Sequence, residues 1–320
     1  MPNASRLALV LGATGGIGGE AALALSRHGW KIRAFSRTAS PSSDSPGWEW
    51  VNGDALDRAS VLAPSKDVHA IVHAVSPPGY RNWAKLVLPM IDNTIAAAKA
   101  SGARILLPGT IYNYGPDAFP VLREESPQNA ATHKGRIRIE LEKRLKDASR
   151  QSVRSLVVRF GDFFGPKPGN NWFSQGMVSQ NGPLKSITYP GKIGVGHDWA
   201  YLPDAAEAFA ELMDREAELE DFARFHFRGF WDKDGTEMIA AIRRVTGKPS
   251  LPVKRLPWFF FKLASPFNET LRELYATRPL WTTPVQLDNT RLVRLLGKEP
   301  STDLDRAVET TLRALGCLGK

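Results

Sequence analysis

Apolar residues in the first 160 positions follow two alternating patterns. Short β-rich runs stand at Leu7–Leu11, Lys31–Phe35, Val68–Ala74, Arg104–Leu107 and Ser155–Phe160. Between them, Gly18–His28, Ala55–Leu62, Trp83–Ala100 and Lys134–Ser149 space their apolar residues at helical intervals. Gly29 and Gly102 fall where helix C-caps belong. Strand–helix alternation of this kind predicts βαβ units, and so an α/β fold with a doubly wound parallel sheet covered on both faces.

The texture changes after about residue 161. Gly161 to Gly196 is rich in Gly, Pro, Asn and aromatics, and helical spacing returns at Asp204–Glu218, Thr236–Gly247, Asn289–Leu296 and Asp303–Leu315. The expected division is a nucleotide-binding domain over 1–160 and a smaller C-terminal substrate-binding region over 161–320. Part of the second region should return to extend the main sheet.

Composition adds exclusions. With 42% hydrophobic and 23% charged residues the chain reads as an ordinary soluble globular protein. The single cysteine, Cys317, rules out a disulfide framework and a thiolate zinc site, and suits a reducing, cytoplasmic compartment. No metal site is expected. The aromatic-apolar stretch Leu256–Phe267 is too short to span a bilayer and is broken by Lys262 and two prolines. It is expected to be a buried or lid-forming segment, with no membrane partner. The net charge is +9, and +6 of it lies between Lys134 and Arg159. A basic stretch can be a solvated helix face, a platform for a cofactor phosphate or a nucleic-acid footprint. No zinc-finger spacing or RNA-recognition signature accompanies it, so no nucleic-acid partner is expected.

The first chemical motif is the loop Gly12-Ala-Thr14-Gly15-Gly16-Ile17-Gly18. Gly12 ends an apolar strand and Gly18 opens a helix, the context in which glycines let the backbone approach a pyrophosphate and the helix N-terminus offers N–H groups to it. This is a Rossmann-type dinucleotide fingerprint. An enzyme selecting NAD usually carries an acid at the end of the second strand, to bond the ribose 2′-hydroxyl. Here that strand runs Lys31-Ile-Arg-Ala-Phe-Ser-Arg37, and no acid appears before Asp44. Arg37 can pair with a 2′-phosphate where a carboxylate would repel it, so NADP(H) is expected in preference to NAD(H).

Several further segments carry a family resemblance. The glycine loop, Gly53-Asp54, His73-Ala74-Val-Ser76, Thr110-Ile-Tyr112-Asn-Tyr-Gly115, Arg159-Phe-Gly-Asp162-Phe163-Phe-Gly-Pro166, Trp199-Ala-Tyr-Leu-Pro-Asp204 and Leu287–Gly297 resemble an extended or atypical short-chain dehydrogenase/reductase of the NAD-dependent epimerase/dehydratase type. The similarity covers nearly the whole chain. It implies that Asp54 and Ala74 contact the cofactor, that Thr110 supplies the active-site hydroxyl, and that a homodimer is possible through helices of the fourth and fifth βα units.

The resemblance fails at one place. The family's usual catalyst is a Tyr followed four residues later by a Lys. Aligned by its trailing acid, this helix reads Lys134-Gly-Arg-Ile-Arg138-Ile-Glu-Leu-Glu142, with Lys134 at the Tyr position and Arg138 at the Lys position. A lysine working near neutrality needs its pKa lowered by about three units, through burial and cationic neighbours. The helix is similar to that of the isoflavone-reductase-like branch, which implies Lys134 as general acid/base and Arg138 as a ribose or phosphate anchor. Alternatively, Lys134 only binds cofactor hydroxyls. Tyr112 either supplies the missing phenol or simply packs.

In the substrate region, the family's nucleotide-sugar members usually carry Asn and Arg where this chain has Asp162 and His197. Neither replacement suits a diphosphate. Phe163, Trp172 and Trp199 suggest instead an aromatic-lined pocket for a compact substrate, unless these rings are core. The leading expectation is an NADP(H)-dependent oxidoreductase acting on a small carbonyl or activated alkene. The alternatives are a nucleotide-sugar epimerase/dehydratase and a non-catalytic NADP(H)-sensing protein.

Overall fold

The computed structural model describes residues 6–38, 47–77, 82–167, 169 and 171–319. The polar loop at 40–45, with Asp44, lies outside them. Seven strands form the main sheet: β1 (Leu7–Leu11), β2 (Lys31–Ser36), β3 (Glu49–Asn52), β4 (Ala70–His73), β5 (Arg104–Thr110), β6 (Ser155–Phe160) and β7 (Phe222–His226). Their spatial order is β7-β6-β5-β4-β1-β2-β3, and every pairing is parallel.

The two faces of the sheet bury separate cores, as the period-two geometry of a strand requires. In β1, Ala8 and Val10 join a cluster containing Leu25, Leu106, Val158 and Phe209. Leu9 and Leu11 face the opposite way and join Ile71, Ile91, Leu107 and Leu141. Helices α1 (Gly16–Arg27) and α5 (Leu202–Asp214) pack together on the first face. Helices α2 (Arg58–Leu62), α3 (Trp83–Ser101) and α4 (His133–Ser149) cover the second. The fold is the expected doubly wound Rossmann-type sheet.

Some elements differ from the pattern reading. β3 escapes it because its four residues sit at a sheet edge, with only Trp50 and Val51 half-buried. β5 runs past the expected Leu107 to Thr110 and through Pro108. Its pairing with β4 ends at Val72, opposite Leu106, so Pro108 lies where that side of β5 needs no further amide donor. α2 is shorter than expected because Asp57 caps it, its Oδ1 accepting from the Ala59 amide at 3.0 Å. β7 comes from the C-terminal half and pairs in register with β6, from Phe222 opposite Ser155 to His226 opposite Arg159.

Residues beyond β6 build a third core around Phe164, Phe173, Trp199 and Trp281. They also form a small sheet in which His197–Tyr201 lies between Asp162–Phe164 and Phe230–Asp232. Helices α6 (Glu237–Thr246), α7 (Trp258–Ala264) and α8 (Glu269–Ala276) follow. The stretch expected to be buried or lid-forming is α7 with its flanks. Its outer side is open: Phe259 and Phe260 are each 66% exposed and Phe267 is 92% exposed. Among the described residues no helix is long and apolar enough to cross a membrane, and no cluster of three His, Cys, Asp or Glu could hold a metal ion.

Candidate active site

The site begins with the turn after β1. Gly12 has φ +88°, and a Cβ there would lie 2.7 Å from the Ala74 carbonyl oxygen. A Cβ on Gly18 would lie 2.3 Å from the Gly12 oxygen. Only glycine lets β1, β4 and α1 close together in this way. The N-cap of α1, Gly15, has no side chain to bond the free amides, and no acid occupies the first turn. The donors and dipole of this helix end are therefore left for an anion. A dinucleotide pyrophosphate fits that cradle.

At the carboxyl ends of the sheet strands lies a cavity of about 320 Å³. Gly15, Gly16, Ile17 and Ala74 line one side of it. Thr110, Tyr112, Lys134 and Arg138 face it from β5, the following turn and α4. Asp162, Phe163 and Trp172 close it from the C-terminal half. Expected site residues from both halves of the chain thus meet around one space. Thr14 is exposed beside the turn. Arg37 and Asp54 are exposed at the ends of β2 and β3, outside the cavity wall. The Asp54 carboxylate accepts from the Leu56 amide at 2.9 Å.

His197 and Trp199 do not reach the cavity. Trp199 is fully buried in the third core, the fate of a large ring on a central strand. His197 stacks on Trp281 at 3.9 Å, and its Nε2 lies 2.9 Å from Asp162 Oδ2. It therefore holds a wall residue rather than forming the wall.

Lys134 is fixed by local geometry. Thr132 caps α4 by accepting from the Gly135 amide at 3.0 Å. A Cβ on Gly135 would lie 2.1 Å from the Tyr112 carbonyl oxygen, so glycine allows the turn after β5 to press onto the start of α4. The Lys134 Nζ consequently lies 3.8 Å from the Tyr112 ring centre and 5.0 Å from that of Trp83. Lys134 is only 4% exposed. Burial first, and then the Arg138 cation, hold its pKa well below the usual lysine range, against weaker opposition from Asp162 and Glu273.

A buried network underneath joins the same two elements. Asn113 donates to Glu142 Oε1 at 2.9 Å, and Glu142 pairs with the fully buried Arg159. His226 lies 3.0 Å from the Tyr114 hydroxyl and 3.1 Å from the Leu122 carbonyl oxygen. Since a carbonyl only accepts, Nδ1 of His226 carries the proton and Nε2 accepts.

Sequence reasoning missed His73, Trp83 and Lys167. His73 lines the cavity, with its Nδ1 2.8 Å from Thr94 Oγ1. The Thr94 hydroxyl donates to the Met90 carbonyl, so His73 Nδ1 donates and Nε2 is left as an acceptor. Burial, then Arg138, lower its pKa to about 3. Lys167 crosses the first turn of α1, its Nζ 2.8 Å from where a Gly19 Cβ would stand. A glycine beyond the Gly-x-x-Gly-x-x-Gly spacing is the available signal.

Residues 8–224 match the sequence profile of the NAD dependent epimerase/dehydratase family. The chain belongs to this family. Solved structures of family type resemble it in fold over almost its whole length. A UDP-glucose 4-epimerase has a TM-score of 0.75 at 17% identity, with 98% of this chain and 97% of the other covered. The UDP-N-acetylglucosamine 4-epimerase of Bacillus cereus scores 0.72 at 16% identity, covering 99% and 98%. WbmH of Bordetella bronchiseptica, solved with NAD+, scores 0.69 at 19% identity, covering 98% and 99%. In sequence, the chain is 31% identical over 181 residues to the 3-diazoavenalumate denitrifying reductase of a Streptomyces species. That match covers 50% of this chain and 57% of the relative, just over half its length.

Proposed function

We propose that this chain is an NADP(H)-dependent oxidoreductase that reduces a compact aromatic or unsaturated electrophile. The observation that carries the reading is the buried Lys134, with its lowered pKa, in one cavity with the glycine cradle. The cofactor supplies the hydride when bound. Gly16 and Ile17 would hold its pyrophosphate through backbone amides, while the Gly15 amide closes the turn on the Gly12 carbonyl. Arg37, at the open end of β2, would pair with the 2′-phosphate, and Arg138 would anchor a ribose or phosphate oxygen.

Lys134 takes the place of the family's tyrosine as the group that holds or moves a proton at the substrate. Its depressed pKa brings it toward the range where a general acid/base works. Thr110 and Tyr112 would orient the substrate oxygen, with residues 161–320 supplying the opposite wall. Trp83, Phe163 and Trp172 favour a flat apolar substrate over a sugar diphosphate, and Asp162 faces inward where a diphosphate would be repelled.

The denitrifying relative adds one substrate class. An arenediazonium group accepts hydride at its terminal nitrogen, giving an aryldiazene that releases dinitrogen and leaves the hydrogen on the ring. That reduction has no carbonyl oxygen to protonate, which accords with a missing tyrosine. The test is NADPH oxidation against aromatic aldehydes, enones, quinones and an arenediazonium phenol, with NADH in parallel. Turnover of one class supports the reading, and silence across all of them contradicts it.

A further inference from the structure

The segment from Val253 to Arg278 has two unlike sides. Its inner side is anchored: Trp258 packs at 5.8 Å from Trp172 in the cavity wall, donates Nε1 to the Pro190 carbonyl at 2.8 Å, and lies 6.4 Å from Tyr275 of α8. Its outer side carries Phe259, Phe260, Leu263 and Phe267, exposed by 66%, 66%, 57% and 92%. Four large apolar side chains in nine residues are a concentrated patch, and such patches mark interaction surfaces.

The charge of the same segment says what covers it. Lys254, Arg255, Lys262, Arg272 and Arg278 are all exposed, and none forms an ion pair among the described residues. Only Glu269 and Glu273 oppose them, so the segment carries +3. A second copy of this chain would bring the same cations and the same net +9 against it, a repulsive pairing for a two-fold interface. Aromatic side chains at the tip of a basic, anchored segment fit the headgroup layer of an anionic bilayer.

We propose that this face docks the protein reversibly on an anionic membrane surface, with Phe259, Phe260 and Phe267 inserted and the five cations over the headgroups. The bilayer is not crossed. The Trp172 wall, with Trp258 packed behind it, would then sit next to the lipid, a route for apolar substrates into the cavity.

The test is flotation of the full chain with phosphatidylcholine vesicles, either pure or containing about one third phosphatidylglycerol. Binding is expected only to the anionic vesicles, and to weaken as salt is raised. Phe259→Ser/Phe260→Ser/Phe267→Ser and, separately, Lys254→Ala/Lys262→Ala should each weaken it by about tenfold or more. Both variants should keep the wild-type thermal midpoint, since the altered side chains are exposed. No flotation with anionic vesicles, or equal binding of the triple variant, overturns the proposal. So does a concentration-dependent dimer in light scattering that the triple-Phe variant abolishes, which would make the occupant a second copy.

Discussion

The Lys134 Nζ stands 3.8 Å from the centre of the Tyr112 ring, and the peptide that brings them together has no room for a side chain at Gly135. The ring face favours the ammonium form, whereas burial and Arg138 oppose it. Burial dominates because Lys134 has almost no contact with solvent. The amine is thus held ready to gain or lose a proton inside the cavity.

Gly135→Ala should be disproportionately harmful for a change of one methyl group. The new carbon would lie 2.1 Å from a backbone oxygen that cannot move aside as a flexible side chain would. A loss of about 2 kcal/mol or more is expected, read as a lower urea midpoint. Wild-type stability in this variant would show that the contact between Tyr112 and α4 is dispensable.

Lys134→Met should slow the reduction of a carbonyl substrate by about 10²- to 10⁴-fold, the usual range for a positioned acid or base. If the ammonium form donates the proton, the wild-type rate falls as pH rises through the lysine's pKa. That fall should occur well below the value of about 10.4 for an exposed lysine. Lys134→Arg should abolish the fall within the measurable range. A diazonium substrate, which needs no proton on oxygen, should show a smaller effect of Lys134→Met in stopped-flow measurements.

Lys167 should strengthen cofactor binding from above. It belongs to the loop after Asp162–Phe164 and crosses the first turn of α1, where Gly19 leaves room for it. Lys167→Glu should weaken dinucleotide binding by about tenfold or more, since it replaces an attractive charge with a repulsive one. Gly19→Ala should weaken it less, by displacing the flexible lysine tip. Unchanged calorimetric affinity in Lys167→Glu would leave Lys167 as a loop prop.

Acid should destabilise the fold through its buried histidines. Burial, reinforced by Arg159, lowers His226 to about 3, and burial with Arg138 does the same to His73. Both are neutral in the native state and charged in the unfolded chain below about 6.5. Their contribution is therefore complete above that pH and is lost as pH falls from about 6.5 toward about 3. Each adds a slope of up to about 1.4 kcal/mol per pH unit. His226→Gln, which keeps a donor and an acceptor, should flatten the acid limb of urea midpoints, and an unaltered limb would count against the neutral assignment.

Much of the fold and part of the site are legible in the chain itself. β1 with its uninterrupted apolar run, β6 with its apolar centre, and the helices facing them with their 3.6-residue spacing announce themselves, because both faces of a parallel sheet must be buried. Lys134 is visible through the helix register of Glu142. Trp199 and His197 mark where that legibility stops. Nothing in one sequence tells whether a strand-borne ring points into a cavity or into a core a few ångströms behind it. The exposure of Phe259 and Phe260 is equally invisible there, because an aromatic run reads as buried unless its partners are known.

In the proposed enzyme the glycine loop binds a phosphorylated dinucleotide and leaves Lys134 for chemistry. Calorimetry with NADP(H) and NAD(H), on the wild type, Arg37→Ala and Lys134→Met, tests it most directly. NADP(H) should bind more tightly than NAD(H), with a loss of about tenfold or more in Arg37→Ala and little change in Lys134→Met. Loss of binding in Lys134→Met would make that lysine a cofactor anchor, and absence of dinucleotide binding in the wild type would overturn the dinucleotide assignment itself.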